Sequence, residues 1–452
     1  MKVKPKEFAV KVEGVPLSKL KKYDNIIEIR AYGKVKTKNN VKNIIKYEKA
    51  IIEKQYSNGK IDPIVEDLIN IALATFCVDS MVQRSVSKSR FFSRDIRITI
   101  PVSDKEKWNK VKPLLERTIS FMTYDIFKYN FIKRKSNYFT NKPKKSSFDS
   151  VSLFSGGLDS FAGSHFLLSE GYNPIFLSVN HSGIGKIVSK LYESLPEKSQ
   201  KILLGVKKKI DGVEYTQFSR SFLYLTLAIS IAKAYNNINK VFIPENGVIA
   251  FQIGLKEGRY GTRTAHPRYL NYFSSLIKNL FPSWSITIEN PFKYKTKGEI
   301  VSLIKDKKNF IKETVSCAHI GRWFKDSPQC GMCIPCIIRR ISLISNGIYV
   351  DKKISVKGVE AFEIDFNNPS IERNIKNVSR ESKMFYRDAI VNILELLNLT
   401  NNIKNSSDDQ LIIKYPEMVL PDILNMYKRF SSEVIKTVNY FKNRNPSLNK
   451  LL

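Results

Sequence analysis

Apolar residues recur along this chain with two different periods, and the switches between them outline its elements. Residues 26–32 and 95–102 read as strands, while 64–76 and 105–121 carry apolar positions at helical spacing. Past residue 148, short apolar runs take turns with helical stretches. Residues 151–154, 174–179, 201–206, 240–243 and 284–288 read as strands. Residues 161–168, 187–195, 220–235 and 296–304 read as helices. Strands alternating with helices imply parallel pairing through right-handed crossovers. In such a sheet, ligands sit outside the carboxyl ends of the strands. Towards the end of the chain, helical spacing returns at 389–397 and 421–430, with a polar loop expected at 401–409.

Three regions follow from this pattern. Residues 1–147 form an α+β extension, 148–349 a doubly wound parallel α/β sheet, and 350–452 a mainly helical region. Between Asp125 and Asp149 there is no acidic residue, only Lys128, Lys133, Arg134, Lys135, Lys142, Lys144 and Lys145 as charges. That stretch reads as a solvated linker. No run reaches the ~18 apolar residues of a membrane span. The basic start leads into no apolar core, so the expected compartment is the cytoplasm.

Charge alters the list of partners. The 452 residues include 75 basic and 42 acidic ones, a net charge of +33. Such a surface attracts nucleic acid, nucleotides or an acidic protein. The abundance of Lys, Asn and Ile also fits AT-rich coding, so charge alone assigns no partner.

Chemistry enters at the end of the run 151–154. There the chain reads Phe154-Ser155-Gly156-Gly157-Leu158-Asp159-Ser160. Two glycines permit a turn whose amides point into one pocket. The helix that follows adds its free amides and its dipole. Ser155 and Ser160 supply hydroxyls, and Asp159 suits a magnesium ion bridging phosphates. An ordinary strand-to-helix turn is the alternative. The string lacks the Lys-Ser/Thr pair of a Walker loop. Of the five cysteines, Cys77 stands inside an apolar run and reads as a core thiol. Cys317, Cys330, Cys333 and Cys336 cluster with Cys-x2-Cys spacing, which suits a structural zinc ion. An iron–sulfur cluster is the rival ligand.

The string Ser-Gly-Gly-X-Asp-Ser resembles the signature loop of the ATP pyrophosphatases (PP-loop enzymes). Joined to a four-cysteine cluster ending Cys330-Gly331-Met332-Cys333-Ile334-Pro335-Cys336, it resembles the 7-cyano-7-deazaguanine synthase or QueC family. Arg220 before an apolar helix, and residues 289–300 with Lys295 and Lys297, resemble the family too. Ser221 departs from the family's Arg-Asn pair, and Asn180-His181 stands where an Asp is usual. The stretches 244–247 and 263–267, with the long flanking regions, resemble QueC-like proteins of bacterial anti-phage systems, the Qat type first and the CBASS type next.

The resemblance implies an ATP-dependent, AMP-forming ligase that adenylates 7-carboxy-7-deazaguanine and passes the acyl group to an amine, on a partner protein or as ammonia. It implies ATP and Mg2+ at residues 154–160, with Asp159, Ser160, Arg220, Lys295 and Lys297 as catalytic groups. Glu245, Asn246, Gly247, Arg263 and His266 would read the base, and the four cysteines would hold zinc. Arg220, Lys295 and Lys297 also read as surface charges, and the base-reading set as loop structure. His165 and His181 read as structural, and His319 is the minor alternative to one thiolate at the zinc site. A tRNA-modifying pyrophosphatase and a non-catalytic nucleotide-binding scaffold are the competing readings; nucleic acid ranks behind the small molecule and a protein partner.

Overall fold

The computed structural model describes residues 5–20, 22–33, 41–84, 93–135, 142–180, 184–211, 214, 218–253, 263–318, 329–331, 333–351, 360–361, 380–414 and 420–445. His181, His319 and Met332 lie outside them. In chain order the strands are β1 (Lys6–Lys11), β2 (Ile26–Ala31), β3 (Asn43–Tyr47), β4 (Asp95–Val102), β5 (Ile126–Lys133), β6 (Ser150–Leu153), β7 (Pro174–Asn180), β8 (Lys201–Lys209), β9 (Lys240–Phe242), β10 (Thr287–Glu289), β11 (Val350–Asp351) and β12 (Glu360–Ala361). The helices are α1 (Lys49–Glu53), α2 (Pro63–Met81), α3 (Lys105–Thr123), α4 (Leu158–Ser169), α5 (Gly185–Tyr192), α6 (Arg220–Ala232), α7 (Gly247–Phe251), α8 (Pro267–Leu280), α9 (Lys297–Ser302), α10 (Lys308–Ile311), α11 (Ile334–Ser345), α12 (Arg380–Asn405), α13 (Asp408–Lys414) and α14 (Pro421–Arg444).

β1 to β10 form one 10-stranded sheet in the order β10-β9-β6-β7-β8-β3-β2-β1-β4-β5. Pairings within β1–β5 and within β6–β10 are parallel. The two sets meet antiparallel, with Ile44 opposite Lys209 and Tyr47 opposite Val206. The carboxyl ends of β6–β10 therefore share an edge with the amino ends of β1–β5. The chain is α/β with a mostly parallel sheet, as the alternation implies.

The first region differs from the α+β extension expected of it. Its strands are mutually parallel and continue the sheet of the second region. The stretch read as a linker begins with β5, 8 residues long. There Phe127, Tyr129 and Phe131 are buried while Lys128 and Asn130 face out. This is the period of a half-buried strand, masked in the sequence by its lysines. The polar loop expected at 401–409 is shortened in the same way, because α12 runs on to Asn405. Polar residues on its outer side hide a helix that continues to bury Ile403.

Both faces of β7 are covered. Ile175, Leu177 and Val179 enter a core shared with β1–β5, α2, α3, α6 and α8. Phe176 enters a second core with Phe154, Phe161, α9, α11 and the carboxyl-terminal helices α12 and α14. A strand buried on both sides reads as a continuous apolar run, as 174–179 does. Among the described residues, no helix is long and apolar enough to cross a membrane.

Candidate active site

β6 ends at Leu153 and α4 begins at Leu158, so the Gly-rich turn sits at a carboxyl strand end. Phe154 is anchored by its amide to the Leu177 carbonyl, 2.8 Å away. Gly156 has φ +77°, a left-handed conformation that suits glycine. The Ser160 hydroxyl accepts from the Ser155 amide at 3.1 Å and donates to the Gly157 carbonyl at 3.0 Å, closing the turn. Gly157 occupies the N-cap position of α4 and carries no side chain to cap it. The first-turn amides thus have no side-chain acceptor of the usual kind, a helix start suited to an anion.

Beneath the turn, Asp159 meets residues from two other strand ends. Lys297, at the start of α9, donates to Asp159 Oδ1 at 2.8 Å. Asn246, after β9, donates through Nδ2 to Asp159 Oδ2 at 2.9 Å and to Glu245 Oε1 at 3.1 Å. Asp159, Asn246 and Lys297 are buried, Glu245 partly so. A glycine permits the approach: a Cβ on Gly163 of α4 would overlap the Pro244 ring. Asn290, after β10, fixes the Glu245 backbone from both sides. Its Nδ2 donates to the Glu245 carbonyl at 2.7 Å, and its Oδ1 accepts from the Glu245 amide at 3.1 Å. Lys297 is aimed by a capping box in which Thr296 and Glu299 each accept from the other's backbone amide.

The charges of this cluster are unequal. Burial alone would raise the Asp159 pKa, but the Lys297 ammonium and hydrogen bonds from Glu245, Lys297 and Asn246 hold it at about 2. Burial, reinforced by the Asp159 carboxylate, pushes Glu245 well above the carboxylate range. Two carboxyls this close share one proton; here Glu245 keeps it and Asp159 stays ionised. Together they form an oxygen donor set suited to a hard divalent cation.

Cys317, Cys330, Cys333 and Cys336 converge, their sulfurs all within 4.8 Å of one another. Cys330 Sγ and Cys336 Sγ are 3.8 Å apart, the separation that two thiolates take on one tetrahedral zinc with bonds of about 2.3 Å. The four cysteines fit that ion. The segment leading into them touches the turn, because the Val315 amide donates to the Gly156 carbonyl at 2.9 Å. A trans peptide points its C=O and N–H in opposite directions. Val315 thereby turns the Gly157 amide towards the exposed Ser155 hydroxyl, which accepts it at 3.3 Å. Arg339 of α11 holds the same segment through Thr314 Oγ1 at 2.7 Å and the Ile311 carbonyl at 2.7 Å.

Other residues singled out in the sequence lie elsewhere. Arg220 opens α6 with its guanidinium over the Tyr224 ring, while the preceding Ser219 is held by the buried Asp79 of α2. Lys295 is half-exposed; its carbonyl accepts from the Gly247 amide at 2.8 Å. Arg263 donates to the Phe121 carbonyl at 2.7 Å and lies over the Phe121 and Tyr124 rings. His266 caps α8 and meets Phe121 edge-on. The described contacts of Arg263 and His266 thus run to the end of α3, not to the turn. His165 and His266 are both driven down to about 4, chiefly by burial, so each is neutral at pH 7. Cys77 is fully buried in α2 and its thiol is pushed up to about 12 by burial, as a core thiol should be. Asn290 was missed as a positioning group. The signal for Lys297 was present in the sequence, because Thr296-x-x-Glu299 is a capping-box string that marks Lys297 as the first helical residue.

Residues 219–347 match the family model described as Queuosine biosynthesis protein QueC. That segment contains Glu245, Asn246, Lys297 and the four cysteines; the Gly-rich turn and α14 lie outside it. No curated protein matches the chain.

Proposed function

We propose that this chain is a QueC-like, ATP-dependent enzyme that activates a carboxylate, 7-carboxy-7-deazaguanine, by adenylation. The observation that carries the reading is the buried Asp159–Lys297–Asn246–Glu245 cluster beneath an uncapped glycine turn at a helix start. The QueC match over residues 219–347 supports it. In this reading the amides of residues 155–160 cradle the phosphates of ATP. A carboxylate oxygen of the substrate attacks the α-phosphorus, the bond to the bridging oxygen breaks, and pyrophosphate leaves. Lys297, and Lys295 at the rim, offset the charge gathering on the leaving group. Asp159 and Glu245 would hold Mg2+, which shields phosphate charge when bound; Glu245 would give up its proton to do so. Arg220 is a further candidate for the pyrophosphate, and Glu245, Asn246 and Gly247 for one wall of the base pocket. Arg263 and His266 would reach that pocket only through rearrangement of their contacts with α3. The four cysteines would hold structural zinc and fix the Val315 segment beneath the turn.

An amine then attacks the acyl carbon, expels AMP and loses a proton. The reading assigns that amine to a partner protein in an anti-phage system of the Qat type, with ammonia as the alternative. The test is conversion of ATP to AMP and pyrophosphate by the purified full chain, with and without 7-carboxy-7-deazaguanine. Turnover that depends on the acid is expected. Indifference to the acid overturns the substrate, and turnover that depends on tRNA would replace it with a nucleic-acid substrate.

A further inference from the structure

The carboxyl-terminal helix α14 bears on both arms of the cluster. The Tyr427 hydroxyl accepts from the Ile253 amide at 3.1 Å and reaches the Val248 carbonyl at 3.3 Å, bracing α7, whose N-cap is Asn246. Arg429 pairs with Glu299 of α9 at 2.8 Å and donates to the Tyr294 carbonyl at 2.9 Å. Glu433 goes furthest: its Oε1 accepts from the Thr296 hydroxyl at 2.5 Å. Thr296 is the N-cap of α9 and the residue before Lys297.

A threonine hydroxyl has one proton and two lone pairs. In Thr296 the oxygen accepts from the Glu299 amide at 3.1 Å, and the proton goes to Glu433. The rotamer that caps α9 is therefore the one Glu433 holds. Gly298 closes the contact from the other side, because a Cβ there would overlap the Glu433 carboxylate. Lys297 lies between these two residues and reaches Asp159 from a helix of only 6 residues. So short a helix does not hold its own first turn.

We infer that Glu433 is a positioning residue. Through Thr296 it sets the first turn of α9, and so the approach of Lys297 to Asp159. The kinetic consequence rests on the proposed ATP chemistry; the structural one does not. Lys297 is buried and paired, so its ammonium is shielded from amine-reactive reagents for as long as α9 is held.

The test compares Glu433→Ala, Glu433→Gln and Gly298→Ala with the unaltered full chain. Lys297 is labelled with a small acylating reagent, without nucleotide, and quantified by peptide mass spectrometry. Glu433→Ala is expected to raise Lys297 labelling about tenfold or more, as a locally opened turn would. Glu433→Gln keeps an acceptor for Thr296 and is expected to label like the unaltered chain. Gly298→Ala crowds the carboxylate while leaving α14 whole, and is expected to raise labelling as well. In assays of AMP formation, Glu433→Ala should lower kcat by about 100-fold, the scale of a 1 Å misplacement, with KM for ATP changed far less. Glu433→Gln should restore kcat. Labelling of Glu433→Ala at the unaltered rate overturns the inference, as does Glu433→Gln behaving like Glu433→Ala. If Glu433→Ala does not fold, unchanged labelling in Gly298→Ala overturns it instead. An unaltered chain that makes no AMP sinks the proposed function, while the labelling comparison still decides the role of Glu433.

Discussion

Asp159 has two close titratable neighbours, and both favour its ionised form: Lys297 by its charge, and Glu245, itself held protonated by burial and by Asp159, through a hydrogen bond. Removing the lysine leaves two buried carboxyls with no cation between them. Lys297→Met is therefore expected to lower AMP formation by at least about 100-fold, the loss seen when one preorganised donor is removed from a transition state. Lys295→Met, at a half-exposed position, should lose under about tenfold in the same assay. Equal losses would show that both lysines meet the pyrophosphate. At this scale the sequence was readable where groups are contiguous. The turn from Ser155 to Ser160 is one string, and its geometry follows from its glycines and from the strand and helix around it. The Asp159–Lys297 pair, 138 residues apart, was not readable. Periodicity places a residue on an element, but it does not say which loops from different crossovers touch. Arg263 shows the converse, since its charge was visible and its seat on the Phe121 and Tyr124 rings was not.

Between elements, the contact of α14 with α9 makes stability depend on pH. Burial pushes Glu433 up to about 7; the Thr296 hydroxyl and the Gly298 amide pull it back, Glu299 of α9 pushes it up, and Arg429 of α14 draws it down. The folded chain then holds a proton that the unfolded chain releases near 4.5. Folding stability from this group is full below pH 4.5 and declines until pH 7, by on the order of 3 kcal/mol. Glu433→Gln should remove that decline and unfold later than the unaltered chain at pH 8, read from urea transitions across pH. A parallel pH dependence in the variant would mean that the carboxylate is hydrated. The helix α14 itself was legible from the apolar spacing of 421–430. Its docking place was not, because an amphipathic stripe shows that a helix is covered without showing by what. β5 illustrates a different failure, in which seven basic residues in the surrounding stretch outweighed three buried aromatics at alternate positions.

For the whole molecule, the cysteines and the Gly-rich turn form one mechanical unit through Val315 and Gly156. Elemental analysis should find one zinc per chain. Stripping it with a chelator should weaken binding of a non-hydrolysable ATP analogue by about tenfold or more and speed amide exchange across 155–160, since such an ion contributes on the order of 10 kcal/mol to local folding. Exchange that rises only around 330–336 would mean that the turn stands without it. The alternation of strands and helices foretold a parallel sheet from residue 148 onward. It did not foretell that β3 would pair with β8 and fuse two regions into one sheet, since pairing of distant strands leaves no local signal. That seam has a consequence for the nascent chain. β3 leaves the ribosome long before β8 and waits as an open edge, the kind of strand that recruits copies of itself. Lys46 faces Lys207 across the finished seam, next to Lys208 and Lys209. Facing lysines weaken a strand pair slightly, but they also repel β3 from β3 and β8 from β8 on neighbouring ribosomes. The charge that loosens the seam helps to keep each half-built sheet single until its own second half arrives.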